Sequence, residues 1–282
     1  MNLQAVANYH CHTGENPLYH PEEGKIYWED IPAGRLFRAD HASGRHECFH
    51  EGDVVGGFTF QADGSLLLFE VDRIARLRDG ERTVLVEGID ADMERFNDVI
   101  ADPEGRVYAG TIGKTNTSGG LYLIERDASV RCLFKGSGCA NGMAFTPELD
   151  QFYWTCSTRR KIYRFRYDRR TGELSERQDV VTVEKGEGVP DGLAVDLDGN
   201  LWSARWDGHG IFKYAPDGKL LEKIDFPVAK VSSAAFGGPA FDVLYATTAG
   251  GSPSSASADG TLYRLDVAAK GRPEFRSEVL LG

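Results

Sequence analysis

The chain has 282 residues, 41% hydrophobic, 11% aromatic and 27% charged, a globular composition that excludes a fibre or a disordered chain and allows a core of ordinary size. Its 43 acidic and 32 basic residues leave a formal charge of -11, which repels phosphate backbones and anionic lipid and so excludes nucleic acid and membrane surfaces as expected partners.

Residues 1–6 carry neither a basic n-region nor an apolar leader, and no apolar run anywhere reaches the roughly 18 residues of a membrane span, so a cytoplasmic protein is expected. His10 and His12 flank Cys11, but two histidines make an incomplete soft-metal site. The five cysteines (Cys11, Cys48, Cys132, Cys139, Cys156) contain no C-x-x-C pair and are expected as reduced structural thiols. From residue 16 onward one unit repeats: an apolar-x-apolar stretch, a Pro or Asp-Gly turn, then an aromatic-rich strand. Its copies lie near residues 16–28, 57–69, 98–109, 142–154, 192–204 and 233–246. The fifth copy shows the strand count, with strands predicted over 193–196, 200–205, 210–214 and 220–226, separated by turns such as Asp198-Gly199 and Asp217-Gly218, where glycine accepts positive φ. No segment sustains a 3.6-residue apolar stripe.

The residue leading into each copy falls at positions 15, 56, 97, 141, 191 and 232, at intervals of 41, 41, 44, 50 and 41. That period belongs to four-stranded propeller blades. The predicted fold is all-β, a single domain over residues 1–282 forming a six-bladed β-propeller of four-stranded antiparallel blades. In such a fold the first strand of each blade is innermost, so Glu15, Gly56, Asn97, Asn141, Asp191 and Ser232 are expected to form a ring on the axis. Two carboxylates and two carboxamides at one offset are the hard oxygen donors that Ca²⁺ or Mg²⁺ requires, and like charges there call for a cation between them.

The segments Gly14-Glu15-Asn16-Pro17, Arg95-Phe96-Asn97-Asp98, Asn141-Gly142-Met143-Ala144-Phe145, Pro190-Asp191-Gly192-Leu193 and Phe236-Gly237-Gly238-Pro239, in this order and spacing, resemble the motifs of the SMP-30/gluconolactonase/regucalcin family. The resemblance implies a six-bladed propeller with one divalent cation on its axis and hydrolysis of sugar lactones. It makes Glu15, Asn141 and Asp191 the metal ligands and Arg95 and Asn97 substrate-binding residues, Arg95 reaching sugar hydroxyls and Asn97 meeting substrate or a bound water. Ca²⁺ heads the expected cations, with Zn²⁺, Mg²⁺, Mn²⁺ and Fe²⁺ as rivals for oxygen ligands. Asp191 is the expected catalytic residue: a carboxylate beside the metal can take a proton from the attacking water, and a role as ligand alone is the alternative reading, since a carboxylate held by a dication is a weak base. Three departures from the family pattern fall near the site. Asn16 stands where glycine is usual and Tyr19 where tryptophan is. After Gly110-Thr111, animal members carry an acidic sugar-binding pair, whereas this chain reads Gly113-Lys114-Thr115-Asn116.

Loops between second and third strands should set substrate choice. Among them Trp206 and His209 are candidate sugar contacts, the loop residues around Lys114 and Trp206 are expected to decide which sugar is taken, and residues 250–260, small and polar, form a plain surface loop in the first reading and a mobile flap in the second. No Gly-x-Ser-x-Gly elbow occurs. The leading expectation is a monomeric, metal-dependent hydrolase that opens an aldonolactone, such as gluconolactone or a pentonolactone, to the aldonic acid. Its rivals are a phosphotriesterase-like propeller hydrolase and a non-catalytic divalent-cation-binding protein.

Overall fold

A computed structural model describes residues 2–252 and 256–281. Among them the only helix is a three-residue 3-10 turn, Ile31–Ala33, and no helix is long and apolar enough to cross a membrane. All other regular structure is strand, in six four-stranded antiparallel sheets, the blades of a six-bladed β-propeller. The chain divides into two compact units.

The unit Met1–Asp53 plus Val180–Glu274 holds three blades. One is built from Gly14–His20, Lys25–Asp30, Arg35–Asp40 and His46–Glu51. The next comprises Val189–Val195, Leu201–Trp206, Gly210–Tyr214 and Leu220–Asp225, within one or two residues of the predicted strands except for an earlier start of the first. The third contains Val231–Gly237, Val243–Thr248 and Thr261–Asp266, and its outer strand is Gln4–Asn8 from the far end of the sequence. This pairing covers the outer edge of Thr261–Asp266, which would otherwise present a row of unpaired backbone groups. Two apolar clusters bind these blades to one another: Tyr19, Trp28, Phe37 and Tyr245 in one, Trp202, Phe226, Phe236 and Tyr263 in the other. Trp28 and Trp202 are 1% and 2% exposed, and burial of a side chain of this size contributes about 2 kcal/mol or more.

The unit Val54–Asp179 plus Phe275–Gly282 is built the same way. Its blades are Phe58–Phe60, Leu66–Phe69, Arg73–Arg78 and Glu81–Glu87; Met93–Ala101, Val107–Gly113, Gly119–Ile124 and Val130–Ser137; and Ala140–Phe145, Gln151–Cys156, Lys161–Asp168 and Glu173–Thr182. The chain end adds a parallel bridge between Ser277 and Gln61, the Ser277 hydroxyl meeting Thr59 Oγ1 at 2.7 Å, and buries Val279 beside Leu67 and Phe69.

The Asp-Gly turns behave as their sequence predicts, with Gly199 and Gly218 at φ 82° and 88°. All five cysteines are free thiols. Burial pushes the Cys11 thiol up to about 12, which keeps it protonated and unreactive.

Candidate active site

The six positions read from the repeat divide three and three between the units, five of them within the first strand of a blade and Gly56 two residues before the first strand of its own, Phe58–Phe60. Glu15, Asp191 and Ser232 lie in the first unit and are 7%, 6% and 0% exposed; Asn97 and Asn141 in the second are 6% and 5% exposed. A register shift interrupts the first strand at five of them, between Glu15 and Leu18, Phe96 and Val99, Asn141 and Met143, Pro190 and Leu193, and Val231 and Ser233. An extra residue in one strand re-aims the side chains beside it. This explains how polar groups turn out of strands whose other residues serve an apolar core.

At two of these positions, Glu15 and Asn97, the following residue bears the conformational load. Asn16 has φ 50° and Asp98 φ 60°, the left-handed region that asparagine and aspartate enter more readily than other side-chain-bearing residues. Asn16 therefore keeps the backbone shape that the family's usual glycine would supply, and its N–H donates to Glu15 Oε2 at 3.0 Å.

Gly56 contributes space rather than a donor. A Cβ there would lie 1.9 Å from the Phe96 carbonyl oxygen and 3.3 Å from Arg95 Nη1. Gly56→Ala is expected to lower stability by about 1–3 kcal/mol, the usual cost of overpacking, read as a fall in Tm; an unchanged Tm would show that the two segments can part freely.

Within the second unit the structure brings Arg95, Asn97 and Asn141 into one hydrogen-bonded line. Arg95 Nη1 donates to Asn97 Oδ1 at 2.7 Å and to Phe96 O at 2.8 Å. Asn97 Nδ2 donates to Ala140 O at 2.8 Å and to Asn141 Oδ1 at 2.9 Å. Asn141 Nδ2 donates to Ser157 Oγ at 2.9 Å and approaches Cys139 Sγ at 3.5 Å. The polarity of this line is forced. A guanidinium only donates and a backbone carbonyl only accepts, so Asn97 can face Arg95 only with its oxygen and Ala140 only with its nitrogen. The remaining Asn97 N–H then requires the oxygen of Asn141. Both carboxamides thus spend every N–H on the protein and keep one oxygen lone pair each.

A second set of buried polar side chains was not anticipated. Glu29, Glu70, Thr111, Thr155 and Arg205 each stand 14 residues after one of the six repeat positions, and Thr247 stands 15 after the last; all are at most 2% exposed. Glu29 pairs in register with Glu15, and Thr155 with Asn141. Arg205 stands opposite Pro190, its guanidinium over the Phe212 ring at 4.8 Å and bonded to Tyr214 OH at 2.7 Å. The signal was present as a constant offset of polar residues inside apolar strands.

The loop candidates occupy defined places. Lys114 Nζ donates to Ala91 O at 2.8 Å, and Ser118 Oγ donates to Asp92 O at 2.9 Å, so the loop after Gly113 is strapped to the segment entering Met93–Ala101. Lys135 reinforces the strap through Asp90 and Ser118 O. Burial alone would lower the Lys135 pKa, but its bonds to Asp90 and Tyr122 outweigh burial and raise it, keeping the ammonium charged. Trp206 lies under Lys230 Nζ, 5.4 Å from the ring centroid, with Lys230 paired to Asp207 at 2.7 Å. His209 is exposed and held by its backbone N–H on Ala229 O. The proposed flap over residues 250–260 lies partly outside the described residues.

A profile of the SMP-30/Gluconolactonase/LRE-like region matches residues 13–250. The chain belongs to that family. Within it the chain is 45% identical to pentonolactonase XacC of Haloferax volcanii over 100% of both chains, and 28% identical to regucalcin of Bos taurus over 88% of this chain and 87% of that one. A solved luciferin-regenerating enzyme matches with a TM-score of 0.89 at 26% identity, covering 99% of each chain.

Proposed function

We propose that the protein is a metal-dependent sugar lactonase that hydrolyses an aldonolactone to the aldonic acid, with a pentonolactone as the favoured substrate. The observation that carries this reading is the 45% identity, over the whole of both chains, to a pentonolactonase, joined to buried oxygen donors at one repeat offset. Glu15, Asn141 and Asp191 are proposed to hold one divalent cation. The donor chemistry fits: two carboxylates supply charge, and Asn141, its N–H groups already spent, presents only oxygen. Among the described residues no group of three or more His, Cys, Asp and Glu is arranged to hold a metal ion, and this reading takes the Asn141 carboxamide as the third ligand. An all-oxygen set favours Ca²⁺.

When bound, the cation supplies Lewis-acid polarisation of the lactone carbonyl and lowers the pKa of a nearby water. The Asp191 carboxylate is proposed to take a proton from the water that attacks the carbonyl carbon. As the new C–O bond forms and the ring C–O bond breaks, that proton passes to the departing ring oxygen, which becomes the free hydroxyl of the aldonic acid. Arg95, half-buried, and Asn97 are proposed to meet the sugar hydroxyls or an ordered water. The protein acts on a small molecule as a monomer in the cytoplasm in this reading, consistent with a charge of -11 that repels nucleic acid.

The test is proton release from a panel of five- and six-carbon aldonolactones, beside hydrolysis of a chromogenic phosphotriester. Turnover of a pentonolactone at least tenfold above any phosphotriester is expected. Phosphotriester turnover without lactone turnover would favour the rival hydrolase, and tight cation binding with no turnover of either would favour a binding protein.

A further inference from the structure

We infer that Ser157 is a positioning residue for the cation site, holding the Asn141 carboxamide with its oxygen turned to the cation. This rests on the proposed role of Asn141 as a ligand. Ser157 is 8% exposed and sits just past the second strand of the Asn141 blade, Gln151–Cys156. Its backbone is pinned at both ends, the N–H on Cys139 O at 3.1 Å and the carbonyl receiving the Arg160 N–H at 3.0 Å, so its hydroxyl presents a fixed acceptor to Asn141 Nδ2.

The two ends of the Asn141 amide are held differently. On the oxygen side Asn97 donates, and turning the amide over would set two NH₂ groups face to face. On the nitrogen side the remaining contact, Cys139 Sγ at 3.5 Å, is a weak acceptor. Without the Ser157 hydroxyl a buried amide N–H loses its strong partner and the carboxamide gains freedom to rotate about its χ angles. Hydrogen-bond partners that orient a metal ligand typically alter metal affinity by about 10–100-fold when removed. The same line makes Arg95 an orienting group as well as a candidate substrate contact, since its guanidinium sets the polarity that ends at Ser157.

The experiment is calorimetric titration of Ca²⁺ into chelator-stripped protein, with thermal unfolding in chelator as the check on folding. Asn141→Ala is expected to abolish measurable binding. Ser157→Ala should weaken Kd by about tenfold or more with a metal-free Tm close to that of the unsubstituted protein, and Ser157→Thr, which keeps a hydroxyl, should restore Kd to within about threefold. If Asn141→Ala abolishes binding and Ser157→Ala binds normally, the positioning role is overturned while the ligand assignment stands. If Asn141→Ala binds normally, the ligand assignment itself fails and takes the positioning role with it. Should Ser157→Ala not fold, Ser157→Cys replaces it: a weaker acceptor at the same place should give an intermediate Kd, and a normal Kd there would again overturn the role.

Discussion

Asp191→Asn is expected to reduce kcat/KM for an aldonolactone by about 10²–10⁴-fold, the range that a positioned general base contributes. The substitution keeps the size and burial of a side chain that is 6% exposed at a strand bulge, so the loss reads chemistry rather than collapse of the blade. Proton release gives the rate, and Ca²⁺ calorimetry on the same variant separates the two roles of the carboxylate. A variant that binds Ca²⁺ with little change yet hydrolyses slowly assigns Asp191 the proton transfer; one that loses both assigns it chiefly to cation binding. Activity within threefold of the unsubstituted protein would remove Asp191 from the mechanism.

The largest stability effect is expected from Asp102→Ala. Asp102 is 0% exposed and accepts from Arg106 Nε at 2.7 Å, from Tyr167 OH at 2.9 Å, and from the backbone N–H groups of Glu104 and Arg106 at 2.9 Å. Arg106 is itself 5% exposed, so removal of the carboxylate strands a buried guanidinium, which costs about 3–5 kcal/mol. At about 2–4 °C per kcal/mol for chains of this order, Tm should fall by roughly 10 °C in differential scanning calorimetry. The exposed pair of Arg166 and Glu176, with side chains 71% and 65% accessible, provides the contrast: Glu176→Ala should leave Tm unchanged, because solvent screens such pairs and side-chain entropy opposes them. Equal shifts for the two variants would show that burial is not what decides the cost.

The repeat made the blades legible because a four-stranded sheet imposes a period of about 40 residues and its hairpins need turn residues at fixed places. The buried polar positions of the first strands were legible for the same reason, since Glu15, Asn97, Asn141 and Asp191 occupy one offset in separate copies. The outer strand Gln4–Asn8 was not, because its sequence, Gln-Ala-Val-Ala-Asn, carries little alternation and its partner Thr261–Asp266 lies more than 250 residues away. Arg205 and Glu29 were hidden inside runs that read as core strands, although their constant spacing from the donors could have exposed them. Asn16 read as a departure from the family pattern; its φ of 50° shows the same backbone shape made with a different residue. The direction of the Arg95–Asn97–Asn141 line depends on which amide atom faces which neighbour, and spacing carries no such information. Lys114 shows the opposite case: the sequence marks its loop as a departure from the family pattern, and only the structure shows its ammonium bonded to a backbone carbonyl of the adjoining loop.

The most direct test of a metal-dependent lactonase is proton release from a pentonolactone by chelator-stripped protein, before and after addition of one equivalent of Ca²⁺, with spontaneous hydrolysis subtracted. Turnover that falls to background on stripping and returns with the cation is the expected result. Full turnover by protein shown to be free of metal would contradict it.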